Sequence, residues 1–199
     1  MQFNPTIKPG ILEVYCGPMN SGKSRELVHR IDKLSFMQGY DFIIFKPEVD
    51  KRNGKQICTR FGNLCFNCEF IDEKDPEKIL NKVTDKHHLV VIDEAQFFSK
   101  EIVEVIQMLQ LRGKNVLVAG LDLDFKGDVF GAMGKILAIA DEVHKLTGIC
   151  QIPGCCLPAT RSQRLIDGEP AKRDSPLVLI GDKKEGYECR CLKHHVIRF

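Results

Sequence analysis

The octapeptide Gly17-Pro18-Met19-Asn20-Ser21-Gly22-Lys23-Ser24 constrains this chain more than any other feature. It fits G-x-x-x-x-G-K-[ST], with an apolar run at residues 11–16 before it and a helix-periodic stretch after it. Glycines let such a loop wrap closely around phosphate oxygens, and the free N–H groups at the start of the next helix donate to them. Lys23 is placed to reach the β- and γ-phosphates of a nucleotide, and the Ser24 hydroxyl to ligate Mg²⁺. Strand, phosphate loop and helix in this order call for a parallel sheet covered by helices.

The first three-quarters of the chain supplies such a sheet. Residues 24–37 set Leu27, Val28, Ile31 and Leu34 at helical spacing. A second strand is expected at 42–45, closed by Lys46-Pro47, and a long polar loop or hairpin at 48–75. A short helix at 76–83 leads to a third strand at 89–92, apolar at every position as a doubly covered parallel strand requires. An amphipathic helix follows at 100–111, a fourth strand at 115–119, a helix at 134–141 and a fifth strand at 142–149. The fold class is therefore read as α/β: a P-loop NTPase-like, mostly parallel sheet flanked by helices. From Cys150 the texture changes to short segments, turns and cysteines. Two domains are expected, an α/β unit at 1–149 and a small cysteine-bearing unit at 150–199.

With 43% hydrophobic and 28% charged residues over 199 positions, the chain has globular composition and is not disordered. Its net charge of +2 lacks the electrostatic footprint of a dedicated nucleic-acid binder. Apolar runs fall far short of the ~20 residues of a membrane span, and the N-terminus does not read as a signal peptide. The expectation is a cytoplasmic protein with no nucleic-acid or membrane partner. Nine cysteines in such a setting read as metal ligands or buried thiols rather than a disulfide framework. Cys65 and Cys68 are read as hairpin thiols, His87 and His88 as surface residues, and His29 and His144 as structural histidines.

Asp93-Glu94 follows the third strand directly. A carboxylate there lies at the carboxyl edge of the sheet, near the phosphate loop, so Asp93 is assigned to orient or bind Mg²⁺. Glu94, one residue on, is assigned as a general base toward a hydroxyl or water. The competing reading is a helix N-cap followed by an acidic first turn.

Cys150, Cys155, Cys156, Cys191 and His194 form two groups far apart in sequence. Two ligand pairs on separate turns make a Cys₃His site, the closed tetrahedral form of structural zinc. The pair Cys191/His194 has two intervening residues and Cys150/Cys155 has four, both within the range zinc sites use. Cys156 is an alternative to Cys155, and His195 to His194.

Several further segments together resemble the type II thymidine kinases. They are Phe45-Lys46-Pro47 leading to Asp50 and Arg52, and Ile92-Asp93-Glu94-Ala95-Gln96-Phe97-Phe98. Gly120-Leu121-Asp122-Leu123-Asp124-Phe125-Lys126-Gly127 comes next, then Phe130-Gly131, Lys145-Leu146-Thr147 and Ala159-Thr160-Arg161-Ser162-Gln163-Arg164. The resemblance runs in order from about residue 11 to 195, and the Gln-Phe-Phe and Leu-Asp-x-Asp-Phe words are more specific than a phosphate loop alone. It implies transfer of the γ-phosphate of ATP to the 5′-hydroxyl of thymidine or deoxyuridine in nucleotide salvage for DNA synthesis.

The resemblance makes Glu94 the base, and gives Asp50, Arg52, Asp93 and Gln96 contacts to nucleotide and metal. Phe125 matches the aromatic that stacks on thymine. Met19, Phe97, Leu121, Phe130 and Ser162 match pocket-lining positions. A mobile lid is implied at residues 165–175, returning through Leu177, Val178, Leu179, Ile180 and Gly181 to Tyr187. The motif Leu157-Pro158-Ala159-Thr160 aligns Cys155 with the second zinc ligand, although the family's usual spacing there is Cys-x-x-Cys. Val129 stands where the family has proline. A homotetramer and feedback inhibition by thymidine triphosphate are also implied. The alternatives are a nucleic-acid-stimulated ATPase, disfavoured by the charge balance, and a nucleotide-binding regulator without catalysis, disfavoured by Glu94.

Overall fold

The computed structural model describes residues 10–52, 54–59, 64–177 and 185–198. The first strand, β1 (Leu12–Cys16), is buried at every position and runs into the loop at residues 17–22. Helix α1 (Lys23–Ser35) follows and buries Leu27, Val28, Ile31 and Leu34 on one face, each side chain worth about 1.5–3 kcal/mol relative to exposure. Gly22, at the helix entrance, has φ +91°, a conformation open to glycine at little cost.

After β2 (Asp41–Pro47), the segment expected as loop or hairpin contains a hairpin, β3 (Gln56–Cys58) with β4 (Cys65–Asn67), and a further strand, β5 (Glu69–Ile71). β5 joins the edge of the main sheet parallel to β2. Three residues give too short an apolar pattern to be distinguished from loop by periodicity. Cys58 and Cys65 face each other across the β3–β4 ladder and form a disulfide, which corrects the reading of Cys65 as a thiol. Cys68 is a buried free thiol.

The central elements follow the expected alternation. They are α2 (Lys78–Lys82), β6 (His87–Ile92), α3 (Ile102–Leu111), β7 (Asn115–Gly120), α4 (Met133–Ile139) and β8 (Glu142–Lys145). The main sheet has six parallel strands in the order β5-β2-β6-β7-β1-β8. One core cluster lies on each face, with Leu12, Val14, Val90, Ile92 and Ile106 on one side and Leu27, Ile31, Leu89, Val91 and Leu117 on the other. Alternate β6 residues thus serve opposite faces, which is why that strand shows no polar period. His87 lies buried at the start of β6 and accepts the Thr84 N–H at Nδ1, 3.0 Å away, contrary to its reading as a surface residue. No helix of the described residues is long and apolar enough to cross a membrane.

The strand expected over 142–149 is two strands. β8 ends at Lys145, and β9 (Gly148–Ile149) leaves the sheet to pair antiparallel with β10 (Pro158–Ala159). Beyond it, β11 (Arg161–Ile166) lies between β12 (Glu169–Pro170) and β13 (Glu185–Arg190), antiparallel to both. Residues 165–175, expected as a mobile lid, begin as a tight hairpin turning at Asp167-Gly168, both with positive φ. Ala171 is buried there, and its N–H donates to Arg164 O. Val178, Leu179, Ile180 and Gly181 lie outside the described residues.

Candidate active site and metal-ligand cluster

Register brings the catalytic candidates to one edge. Cys16 pairs with Gly120 and with Lys145, and Phe45 with Ile92. The carboxyl ends of β1, β6 and β7 therefore lie side by side, where open α/β sheets bind ligands. Three segments meet there: the phosphate loop, Asp93-Glu94 and Leu121-Asp122.

The loop is built for close backbone approach. Gly17 has φ +139°, and a Cβ on it would stand 2.3 Å from Leu146 O. At Gly22 a Cβ would meet nothing within 4 Å, so this glycine is needed for its conformation rather than for space. Asn20 also takes a positive φ, 59°. Lys23 Nζ donates to Pro18 O at 2.7 Å, across the loop. Burial lowers its pKa, while the charges of Glu94, Asp93 and Asp122 oppose that shift. The lysine, the positive-φ glycines and the start of α1 fit a nucleotide phosphate chain.

Asp93 is buried and accepts the Glu94 N–H at Oδ1, 2.9 Å. Burial and then the neighbouring Glu94 charge push its carboxyl up to about 7. The hard oxygens of Ser24 and Asp93 are of the kind Mg²⁺ selects. Glu94 sits in the left-handed region, with φ 52° and ψ 42°, a backbone choice costing about 1–2 kcal/mol for a side-chain-bearing residue. Strain of this sort persists only where surroundings enforce it. Here Arg52 Nη2 lies 2.5 Å from Glu94 Oε1, and Gln96 Nε2 donates to Glu94 Oε2. Gln96 in turn accepts the Leu121 N–H at 3.0 Å, tying the carboxylate to β7.

Arg52 is itself oriented from behind. Its Nε lies 2.6 Å from Asp50 Oδ1, and Lys46 Nζ lies 2.9 Å from Asp50 Oδ2. Burial raises the Asp50 carboxyl, but the bonds from Arg52 and Lys46 outweigh it and hold it below its ordinary value. Lys46 also donates to Arg52 O at 3.0 Å. A chain of charged groups thus runs Lys46–Asp50–Arg52–Glu94, and the Gln96 amide closes it. The sequence reading gave Lys46 no role; its i,i+4 spacing to Asp50 was the available signal.

The aromatic candidates fall into two groups. Phe97 and Phe130 meet edge-to-face with centroids 5.7 Å apart, and the Phe130 N–H donates to Asp122 O. Leu121, directly after β7, is buried. Phe125 is buried beneath Arg164, whose Cζ lies 5.4 Å from the ring centroid, and His195 Nε2 lies 2.8 Å from Phe125 O. Arg164 is 0% exposed and its Nη1 donates to Pro176 O, so this guanidinium is a core element. Ser162 is buried and accepts the Met19 N–H at Oγ, 2.9 Å, joining β11 to the phosphate loop. Leu177 is exposed, and Tyr187 pairs with Arg164 across the β11–β13 ladder.

Cys150 Sγ, Cys155 Sγ, Cys191 Sγ and a ring nitrogen of His194 all lie within 4.8 Å of one another. His194 Nδ1 is 3.5 Å from Cys150 Sγ and 3.4 Å from Cys191 Sγ. Of the two open alternatives, Cys156 is exposed outside the group and His195 is engaged with Phe125 O. Burial raises the Cys150 thiol, yet hydrogen bonds from the Cys191 and Ile152 backbone and from His194 bring it down to about 6. Three thiols and an imidazole at this separation could hold zinc.

A family model described as thymidine kinase matches residues 10–195, from the edge of β1 through the cysteine–histidine group. That span contains the phosphate loop, Glu94 with its partners, and the cysteine group. The chain therefore belongs to the thymidine kinase family, the kinases that phosphorylate thymidine.

Proposed function

We propose that this chain transfers the γ-phosphate of ATP to the 5′-hydroxyl of thymidine or deoxyuridine. The observation that carries the reading is Glu94, held by Arg52 and Gln96 at the sheet edge that bears the phosphate loop. The hydroxyl proton passes to the Glu94 carboxylate as the oxygen bonds to the γ-phosphorus, and the bond to the β–γ bridging oxygen breaks to release ADP. General-base help of this kind contributes typically 10²–10⁴-fold, with positioning and charge neutralisation supplying most of the rest.

Residues 17–24 would cradle the phosphates, and Lys23 would contact the β- and γ-oxygens. Ser24 and Asp93 would hold Mg²⁺, which when bound neutralises phosphate charge. Arg52 and Asp50 border the nucleotide. Phe125 would stack on thymine, with Met19, Phe97, Leu121, Phe130 and Ser162 lining the pocket and the segment from Leu177 to Tyr187 closing over the base. Zinc on Cys150, Cys155, Cys191 and His194 would be structural, because four protein ligands leave no open position. Residues 150–199 would then form a zinc-stabilised lid domain beside a kinase domain at 1–149. Family resemblance supports a cytoplasmic homotetramer acting in nucleotide salvage and inhibited by thymidine triphosphate.

The test is incubation of the protein with Mg-ATP and thymidine beside Glu94→Ala. Thymidine monophosphate from the parent and a loss of about 10²-fold or more in the variant support the reading. Product without that loss removes Glu94 as base, and no product from folded, zinc-replete protein overturns the activity.

A further inference from the structure

Both backbone polar groups of Met19, in the middle of the phosphate loop, are held by the C-terminal strands. Its N–H donates to Ser162 Oγ at 2.9 Å, and its carbonyl oxygen lies 2.6 Å from Cys189 Sγ. Ser162 on β11 and Cys189 on β13 are directly opposed partners in the antiparallel ladder. Both residues are 2% exposed. Two directly opposed residues of neighbouring strands therefore hold both peptide units that flank the Met19 Cα.

The grip is close-packed from behind. A Cβ on Gly148 would stand 2.5 Å from Cys189 Sγ and 3.7 Å from Asn20 O, so only glycine leaves room for the thiol between β9 and the loop. Cys189 is also fixed from the metal-ligand side. Gln151, the residue after Cys150, accepts the Cys189 N–H at Oε1 and donates its own N–H to Cys189 O at 2.9 Å. Cys191 lies two residues further along the chain. Cys189 is not one of the four grouped donors, so its sulfur is used on the loop rather than in the cluster.

We propose that Ser162 and Cys189 are positioning residues that hold the phosphate loop in its nucleotide-binding shape and link that shape to the metal-ligand cluster through Gln151. The loop binds phosphate with backbone N–H groups that follow one another along the chain, so rotation of a single peptide unit misdirects its neighbours. A rigid ribbon clamped at Met19 removes that freedom before the nucleotide arrives, which is preorganisation. When the cluster loosens, Gln151 and Cys189 move together and the loop is released. This inference rests on the nucleotide reading above.

Its test uses the intact zinc-loaded protein with two readouts. One is amide hydrogen exchange of residues 17–24, and the other is Mg-ATP affinity by titration calorimetry, with metal content measured throughout. Cys189→Ala should keep its zinc, speed loop exchange and weaken Mg-ATP binding by about fivefold, the scale of one hydrogen bond. Cys189→Ser, which retains a donor, should restore both. Stripping zinc from the parent should also speed loop exchange, whereas stripping it from Cys189→Ala should add little. Unchanged loop exchange in Cys189→Ala overturns the clamp, as does loss of zinc by that variant, since the thiol would then serve the metal. Faster exchange with unchanged affinity overturns the link to nucleotide binding. A parent that fails to bind Mg-ATP overturns the function proposed above, while one that binds it with an unresponsive loop overturns the clamp alone.

Discussion

Arg52 reaches from the Asp50 carboxylate to the Glu94 carboxylate, with Nε 2.6 Å from Asp50 Oδ1 and Nη2 2.5 Å from Glu94 Oε1. One planar cation thus orients the candidate base while a buried acid behind it fixes the guanidinium. Lysine, a point charge on a flexible stem, cannot make both contacts in one geometry. Arg52→Lys should lower kcat by about tenfold or more through misplacement of Glu94. Steady-state kinetics would show this as a fall in kcat larger than the change in the KM for thymidine.

Asp50 and Lys46 form a buried pair, at 5% and 2% exposure, and breaking such a pair leaves a charge without compensation. Asp50→Ala should destabilise the protein by about 3–5 kcal/mol. Urea denaturation of the zinc-loaded protein would read this as a lower midpoint. A double Asp50→Asn, Lys46→Met variant should recover a large part of the loss, because neither member of the pair then carries a charge.

His87 gives a pH dependence of definite sign. Burial lowers its pKa below the ordinary 6.5, followed by the charge of Lys86, and Nδ1 must be unprotonated to accept the Thr84 N–H. The folded state resists protonation and the unfolded state does not. The stabilisation is present above pH ~6.5 and is lost as the pH falls below it toward the lower folded-state value. Melting temperature measured from pH 7.5 to 5.5 should therefore fall more steeply for the parent than for His87→Gln. Equal slopes would show that His87 carries none of this dependence.

Zinc removal should separate ligands from bystanders. Cys191→Ser and chelation of the parent should each lower the melting temperature and the zinc content together, because structural zinc contributes folding free energy directly. Cys156→Ser should leave both unchanged, since Cys156 is exposed and outside the donor group. Retained zinc in Cys191→Ser would remove that residue from the ligand set.

Much of the parallel sheet was legible because its signals are local. The apolar run before Gly17, the helical spacing of Leu27, Val28, Ile31 and Leu34, and the uninterrupted apolar stretch ending at Ile92 each report burial over neighbouring residues. The phosphate loop belongs to the same class, since its chemistry needs specific residues in one short stretch of chain. β5 escaped because three residues carry no period, and the break of β8 at Lys145 escaped because a strand's end is set by what it pairs with. The Cys58–Cys65 disulfide and the burial of His87 depend on neighbours that composition does not reveal.

The sequence by itself determined the residues with chemistry to offer: the loop, Asp93-Glu94, the cysteines and His194. Only the tertiary structure decided how they are held. Arg52 reaches Glu94 because β2 and β6 are paired parallel neighbours, and Ser162 reaches Met19 because β11 lies against a loop 143 residues away in the chain. Likewise the packing of His195 on Phe125 and of Cys189 on Met19 separates these two from the four grouped donors. Hydrogen bonds and ion pairs act over a few ångströms, so their partners are fixed by chain geometry in space and leave no periodic trace along the sequence.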